Sequence, residues 1–142
     1  MKTVHPSEEK EQAELIKWCG LYRWGDKRLS EIIFSIQNGT RCSPRVASRL
    51  KRTGGRPGVS DLFLPIPINK FIQKGQYGVV DVSQHHGLFI EMKKIGGKES
   101  KAQVEFRIDM TKMGYKVVVC EGWVKAATEI ASYLHQPMWS PL

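Results

Sequence analysis

The sequence predicts an α/β domain in which helices flank a mixed sheet. Segments with helical apolar spacing alternate with short β-rich runs, in the order helix, strand, helix, strands, helix, strand, helix. The length of 142 residues suits one domain, with a core expected over about 7–134. The 41% hydrophobic and 25% charged fractions are ordinary for a globular chain and set aside disorder, collagen and coiled-coil arrays. A chain of about 150 residues hides roughly 70% of its unfolded surface, so a real core is available.

Each element has a local reason. Ser7 is placed to cap a first helix, with Glu8 and Glu9 in its first turn. Leu15, Ile16, Cys19 and Tyr22 form its apolar stripe. Leu29 to Ile36 reads as a short strand, and Asn38-Gly39 marks a turn after it. Ser43-Pro44 opens a second helix, with Ser at the cap and Pro at the first helical position. Its expected buried face is Val46, Ala47 and Leu50, and Gly54-Gly55 stops it. Val59 to Leu64 reads as a strand ended by Pro65 and Pro67. Residues 66–86 carry no clear pattern, although 77–82 suits a strand or hairpin arm. Gly87 to Lys93 is the plainest strand in the chain. Ser100 caps a helix over about 101–113, striped by Ala102, Phe106, Met110 and Met113 and ended by Gly114. Tyr115 to Cys120 is a further strand. Trp123 to Leu134 is the last helix, with Val124, Ala127, Ile130, Ala131 and Leu134 on one side.

Lys plus Arg is 22 and Asp plus Glu is 14, a net charge of +8 that favours a polyanionic partner. The excess is local. Arg41, Arg45, Arg49, Lys51, Arg52 and Arg56 fall in one stretch that holds no acid. Such a stretch is either a solvated helix face or a surface that tracks phosphates. No apolar run approaches the roughly 18 residues of a membrane span, and the N-terminus lacks the apolar core of a secretory signal. Cys19, Cys42 and Cys120 are odd in number and form no C-x-x-C pair, which points away from a disulfide framework or zinc site. An intracellular setting, cytoplasmic or nucleoid-associated, is the expectation.

The candidate chemistry begins in Phe89-Ile90-Glu91-Met92-Lys93. Residues two apart on a strand share a face, so Glu91 and Lys93 stand side by side, about 7 Å apart along the chain. A strand this apolar is expected to be central. Charges held near buried surface are costly unless paired or bound to a metal. An edge strand with solvated charges is the bland alternative. Asp61 begins the apolar strand Leu62-Phe63-Leu64. If the two strands are neighbours, Asp61 and Glu91 converge at one end of the sheet. Alone, Asp61 reads more simply as a turn residue after Gly58. Two carboxylates are the usual way to hold Mg²⁺ beside substrate phosphates. Lys93 is then placed to stabilise developing charge, or to orient or deprotonate an attacking water.

Asp, some thirty residues, then Glu-x-Lys on an apolar strand is the PD-(D/E)xK nuclease pattern. Further segments sharpen it: Ile36-Gln37-Asn38-Gly39, Ala47-Ser48-Arg49-Leu50-Lys51, Gly58 to Leu64, His86 to Lys93, Gln103, and Gly114-Tyr115 with Cys120-x-Gly122-Trp123. Together they resemble the VRR-NUC family, the virus-type replication-repair nucleases of the PD-(D/E)xK superfamily. The resemblance runs from about Ser7 to Leu134 and is weakest over 66–86. It implies a restriction-endonuclease-like fold, a central mixed sheet flanked by helices. It implies a structure-selective DNA endonuclease using Mg²⁺ or Mn²⁺, with branched DNA such as four-way (Holliday) junctions as substrate, acting as a homodimer in DNA repair. A virus-encoded protein acting in a host cell also fits it.

By position, the resemblance makes Asp61, Glu91, Lys93 and Gln103 the catalytic set. Asp61, Glu91 and the Met92 backbone carbonyl become the metal ligands, joined by a first-helix Glu, for which Glu8 is chosen over Glu11 and Glu14. Gln103 also fits a capping box with Ser100, and Glu8 also suits a helix N-terminus. The basic residues Arg41, Arg45, Arg49, Lys51, Arg52 and Arg56 become the DNA-binding set. One departure is Ser60, where the family has Pro before the Asp; altered rigidity is expected, with metal binding kept. His85-His86 lacks metal-pair spacing and reads as surface. Gly54 to Gly58 is no P-loop. Trp18, Trp24, Trp123 and Trp139 read as packing residues, the last also as a subunit contact. The rival reading is a catalytically weak nucleic-acid-binding module on a nuclease fold, which the intact Asp61, Glu91 and Lys93 set disfavours.

Overall fold

The computed structural model describes residues 5–37, 42–74 and 79–135. Helix α1 (Glu8–Cys19) begins where the Ser7 hydroxyl accepts the Lys10 N–H at 3.3 Å. Strands β1 (Arg23–Trp24) and β2 (Lys27–Arg28) form a small antiparallel pair. A 3₁₀ turn (Leu29–Glu31) and strand β3 (Phe34–Ser35) follow. Then come α2 (Pro44–Arg52), β4 (Leu62–Leu64), β5 (Ile68–Lys74), β6 (Val79–His85) and β7 (Leu88–Lys93). The chain ends its described course in α3 (Lys101–Lys112), β8 (Lys116–Glu121) and α4 (Trp123–Leu134).

The main sheet has the order β3-β4-β7-β8. The first three strands are antiparallel neighbours, and β7 and β8 run parallel. The sheet is therefore mixed, as expected, and α3 supplies the crossover that a parallel pair needs. On one face, Leu62, Leu64, Leu88, Ile90 and Met92 are buried against α1 and α4, with Leu15, Cys19 and Ile130 among their neighbours in the core. On the other, Phe63 and Phe89 stack 4.4 Å apart, and Phe106 of α3 meets Phe89 edge-on at 5.2 Å. Alternation then decides where the charges go. Asp61 shares the face of Phe63, and Glu91 and Lys93 share the face of Phe89, all toward α3.

Four expectations are corrected. The stretch from Leu29 to Ile36 is mostly not strand. Leu29 and Ile33 are its buried residues, and both Ile32 and Ile33 N–H groups donate to the Leu29 carbonyl, a helical spacing. The Arg28 N–H donates to Glu31 at 2.8 Å and fixes that turn. Val46, Ala47 and Leu50 do not face the core; α2 has no buried residue at all. Met113 and Val124, expected on buried stripes, are 60% and 48% exposed; Met113 is the C-cap of α3 and Val124 lies in the first turn of α4. Residues 66–86, left without a pattern, form mainly the β5–β6 hairpin, paired from Ile68↔His85 to Lys74↔Val79. Ile66 and Ile68 are buried at its base. The turn at Asn38-Gly39, the basic residue Arg41, positions 77–78 and Trp139 lie outside the described residues. No helix among the described residues is long and apolar enough to cross a membrane.

Candidate active site

Antiparallel pairing of β4 and β7 sets Leu62 opposite Ile90. Carried one residue further, the register sets Asp61 opposite Glu91. Asp61 sits just beyond the last β4 pair, and its side chain takes over the ladder: Oδ2 accepts the Met92 N–H at 2.8 Å. The Asp61 carbonyl accepts the Ile36 N–H at 2.8 Å, so the turn is tied to both neighbours. Beside it, Glu91 is 4% exposed and Lys93 is 9% exposed. Their charges pair, with Lys93 Nζ 2.8 Å from Glu91 Oε1.

Gln103 completes the inner set. Its backbone and side chain close the capping box with Ser100, at 3.2 and 2.8 Å. Its Nε2 donates to Glu91 Oε1 at 2.5 Å. The two readings of Gln103 are thus one arrangement: the cap fixes the side chain, and the fixed side chain reaches Glu91. Glu91 Oε1 receives both Lys93 and Gln103, whereas Oε2 is buried and has no hydrogen-bond partner among the described residues. An ionised oxygen in that position is costly unless something cationic or protic meets it.

The titration of the site reflects this. Burial pushes the Glu91 carboxyl up to about 7, against the opposing pull of Lys93, and Asp61 adds to the rise. Burial also raises Asp61, while the Met92 N–H and Lys93 hold it back. For Lys93, burial works to lower the pKa, but the hydrogen bond and charge of Glu91, with Glu8 and Asp61, raise it overall. The ammonium is therefore the resident form at neutral pH.

The three first-helix acids separate cleanly. Glu8 lies beside the site, sharing a small surface recess with Asp61 and reaching the Lys94 N–H at 3.4 Å. Glu11 instead accepts the Trp123 N–H at 2.8 Å and caps α4, a role no local pattern announces across such a sequence distance. Glu14 pairs with Lys17 at 2.6 Å on the surface. Among the described residues, no group of three or more His, Cys, Asp or Glu side chains forms a metal cage. The available donors are the carboxylates Asp61 and Glu91, the Met92 carbonyl and the nearby Glu8.

The basic residues divide as well. Arg45, Arg49 and Arg52 line one shallow concavity on α2. Lys51 lies on the other side, in a cleft that also contains Asp61 and Gln103. Arg56 is held in place, 2.6 Å from Asp109 and over the Phe106 ring at 5.4 Å. The Asp109 partnership was not legible in sequence, since the residues are far apart in the chain. Gln12 and Gln37 also line the cleft; Gln37 belongs to a segment that carries the resemblance but was given no role, and Gln12 lies one helical turn from Glu8. Ser60, at the position of the family's Pro, is buried. His86 is exposed, whereas His85 is half-buried beside Tyr133.

The architecture is a small α/β domain whose acids and lysine meet at one end of a mixed sheet, the fold of a VRR_NUC domain. It is similar over 93% of its length to a solved structure titled VRR_NUC domain protein, covering 91% of that chain, with a TM-score of 0.72 and 24% sequence identity. No protein-family model matches the sequence, and no curated protein does.

Proposed function

We propose that this chain is a VRR-NUC nuclease: a divalent-metal-dependent DNA endonuclease that hydrolyses phosphodiester bonds in branched DNA, four-way junctions included. The observation that carries the reading is the buried Oε2 of Glu91, unpartnered among the described residues, beside Asp61 and Lys93. Nothing in passive DNA binding calls for a buried acid, a half-buried acid and a buried lysine side by side in a chain of net charge +8.

The donor set fits a hard cation. Asp61 and Glu91 are oxygen ligands of the kind Mg²⁺ and Mn²⁺ take, few enough to leave positions for water and phosphate. The Met92 carbonyl suits a third ligand. The Lys93 carbonyl accepts Gly122 N–H on the β8 side, so the alternation of the strand turns Met92 toward β4, where Asp61 already takes its N–H. Glu8 suits an outer position. When bound, the ion polarises the phosphodiester and activates water for in-line attack.

The chain's own residues do the rest. Glu91 holds a carboxyl at a pKa of about 7, so cation binding and proton release are linked near neutrality. Lys93, kept as the ammonium, offsets charge on the phosphoryl oxygens instead of removing a proton from water. Gln103 is a positioning residue; its bond to Oε1 fixes the rotamer of Glu91 and leaves Oε2 facing away. The α2 arginines hold the phosphate backbone, which fixes position without reading sequence. A homodimer offers two symmetric centres for a symmetric junction.

The test is cleavage of a four-way junction, a flap, a continuous duplex and a single strand, each with Mg²⁺, Mn²⁺ or EDTA. Wild type is compared with Glu91→Gln and Lys93→Ala. Metal-dependent cutting of the branched substrates, lost in both variants while binding persists, is expected. Binding without cutting under every metal overturns the reading in favour of a binding module.

A further inference from the structure

A cleft of about 720 Å³ is lined by α2, the loop after it and the N-terminal end of α3. That volume falls within the usual range of ligand pockets, roughly 300–1,000 Å³. One end of the cleft is the acid site, because Asp61 and Gln103 are part of its lining. On the α2 side stand Ala47, Leu50 and Lys51, followed by Arg56.

Helix α2 has an unusual disposition. An amphipathic helix normally turns its apolar residues to the core. Here Ala47 and Leu50 line open space, and no residue of α2 is buried. Val59 and Ala102 supply apolar surface elsewhere in the same lining. The loop and α3 are in backbone contact: a Cβ at Gly58, where φ is +81°, would lie 2.2 Å from the Ala102 carbonyl oxygen. Among the described lining residues Asp61 is the sole carboxylate, and Lys51 and Arg56 are the cations. Arg56 is pre-set by Asp109 and Phe106.

Apolar walls suit the face of a base, and the two cations suit its phosphates. A continuous duplex keeps its base faces stacked and offers only edges in its grooves. A base free of the stack offers its face to protein side chains. We propose that this cleft receives one unpaired nucleotide adjacent to the phosphate at the acid site, so that preference for branched or frayed DNA over continuous duplex is set here. The inference rests on the nuclease reading for its account of the neighbouring phosphate, but nucleotide capture itself is separable from cleavage.

The test uses flap DNA with 2-aminopurine at the unpaired position next to the branch, and a continuous duplex with the same label. Binding is followed by fluorescence in EDTA, with the full chain. A rise for the flap and none for the duplex is expected. Ala47→Trp fills the cleft from an exposed position. It is expected to abolish the rise and weaken flap binding on the order of tenfold, with duplex affinity unchanged. Leu50→Glu places an acid on the same wall and gives a second reading should the Trp variant lose its circular dichroism signature. Ile108→Trp, on the exposed side of α3, leaves both substrates unaffected. Equal signals from flap and duplex, or flap affinity unchanged in folded Ala47→Trp and Leu50→Glu, overturn the proposal. A fluorescence rise without cleavage under any metal removes the nuclease reading and leaves the cleft standing; cleavage without the rise does the reverse.

Discussion

The acid end of the sheet and helix α2 are held in opposite ways. Asp61, Glu91 and Lys93 sit on or beside a strand whose alternate residues, Leu88, Ile90 and Met92, are fully buried, and each charged group is tied by a bond to backbone or neighbour. Helix α2 has a capped start and a glycine-assisted exit but no buried residue. Under the proposed function, the difference lets one small domain separate two demands. Groups that act on a phosphate need fixed geometry and a low-dielectric setting. Groups that grip a backbone need reach and exposure, and lose little by standing outside the core.

The comparison can be broken most severely at Glu91. Glu91→Gln keeps the shape but removes the charge, and cleavage is expected to fall by at least about a thousandfold, equivalent to some 4 kcal/mol. Single-turnover rates with Mg²⁺ and Mn²⁺ check this; a loss under tenfold would sink the assignment of Glu91. The core beneath the site comes next. Ile90→Ala is expected to cost about 2–5 kcal/mol in denaturant unfolding, whereas Leu50→Ala on α2 should cost under about 1 kcal/mol. Equal costs would mean that α2 is packed after all.

A pH series sharpens the contrast further. Glu91 has a folded pKa of about 7, raised above its ordinary value by burial. The folded chain therefore holds a proton that the unfolded chain releases at lower pH. That contribution to stability is full below the ordinary carboxylate range and is lost as pH rises through about 7, a change of a few kcal/mol. In EDTA, thermal stability is expected to decline from pH 5 to pH 8 in wild type and to decline less in Glu91→Gln. Identical slopes would show that Glu91 is not the titrating group. The smallest effect on the fold belongs to α2. Replacing Arg45, Arg49 and Arg52 together by Gln should leave the melting temperature unchanged while lowering the salt dependence of DNA binding by up to about three phosphate contacts. An unchanged salt slope would remove these arginines from the DNA surface.

The same contrast explains what was readable from the sequence. Strand β7 was legible because its apolar residues alternate with the charged pair, and the convergence of Asp61 with Glu91 followed once β4 was its neighbour. Ser7, Ser43 and Ser100 announced three helix starts through local hydrogen bonds. The exposure of α2 was not legible. Spacing tells that Ala47 and Leu50 share a side, but not that an open cleft lies against it. Leu29 to Ile36 misled because isoleucines in a row suit a strand, while capping by Glu31 favours a tight turn. The roles of Asp109 toward Arg56 and of Glu11 toward α4 depend on tertiary contact alone. Gln103 was read both as a cap and as a neighbour of the acids, and its side chain meets both Ser100 and Glu91.

The pairing of Leu64 with Leu88 has a consequence for engineering. The chain leaves the main sheet after Leu64 and rejoins it at Leu88 on the adjoining strand, so everything between is an excursion that starts and finishes at neighbouring points. Ile66 and Ile68 anchor its base, with the Tyr133 hydroxyl donating to the Ile66 carbonyl at 2.6 Å. Above Ile68↔His85 the ladder is expected to tolerate replacement. A hairpin of another length, or a reporter peptide, spliced there is expected to leave the register that aligns Asp61 with Glu91 untouched, which an unchanged melting temperature would check.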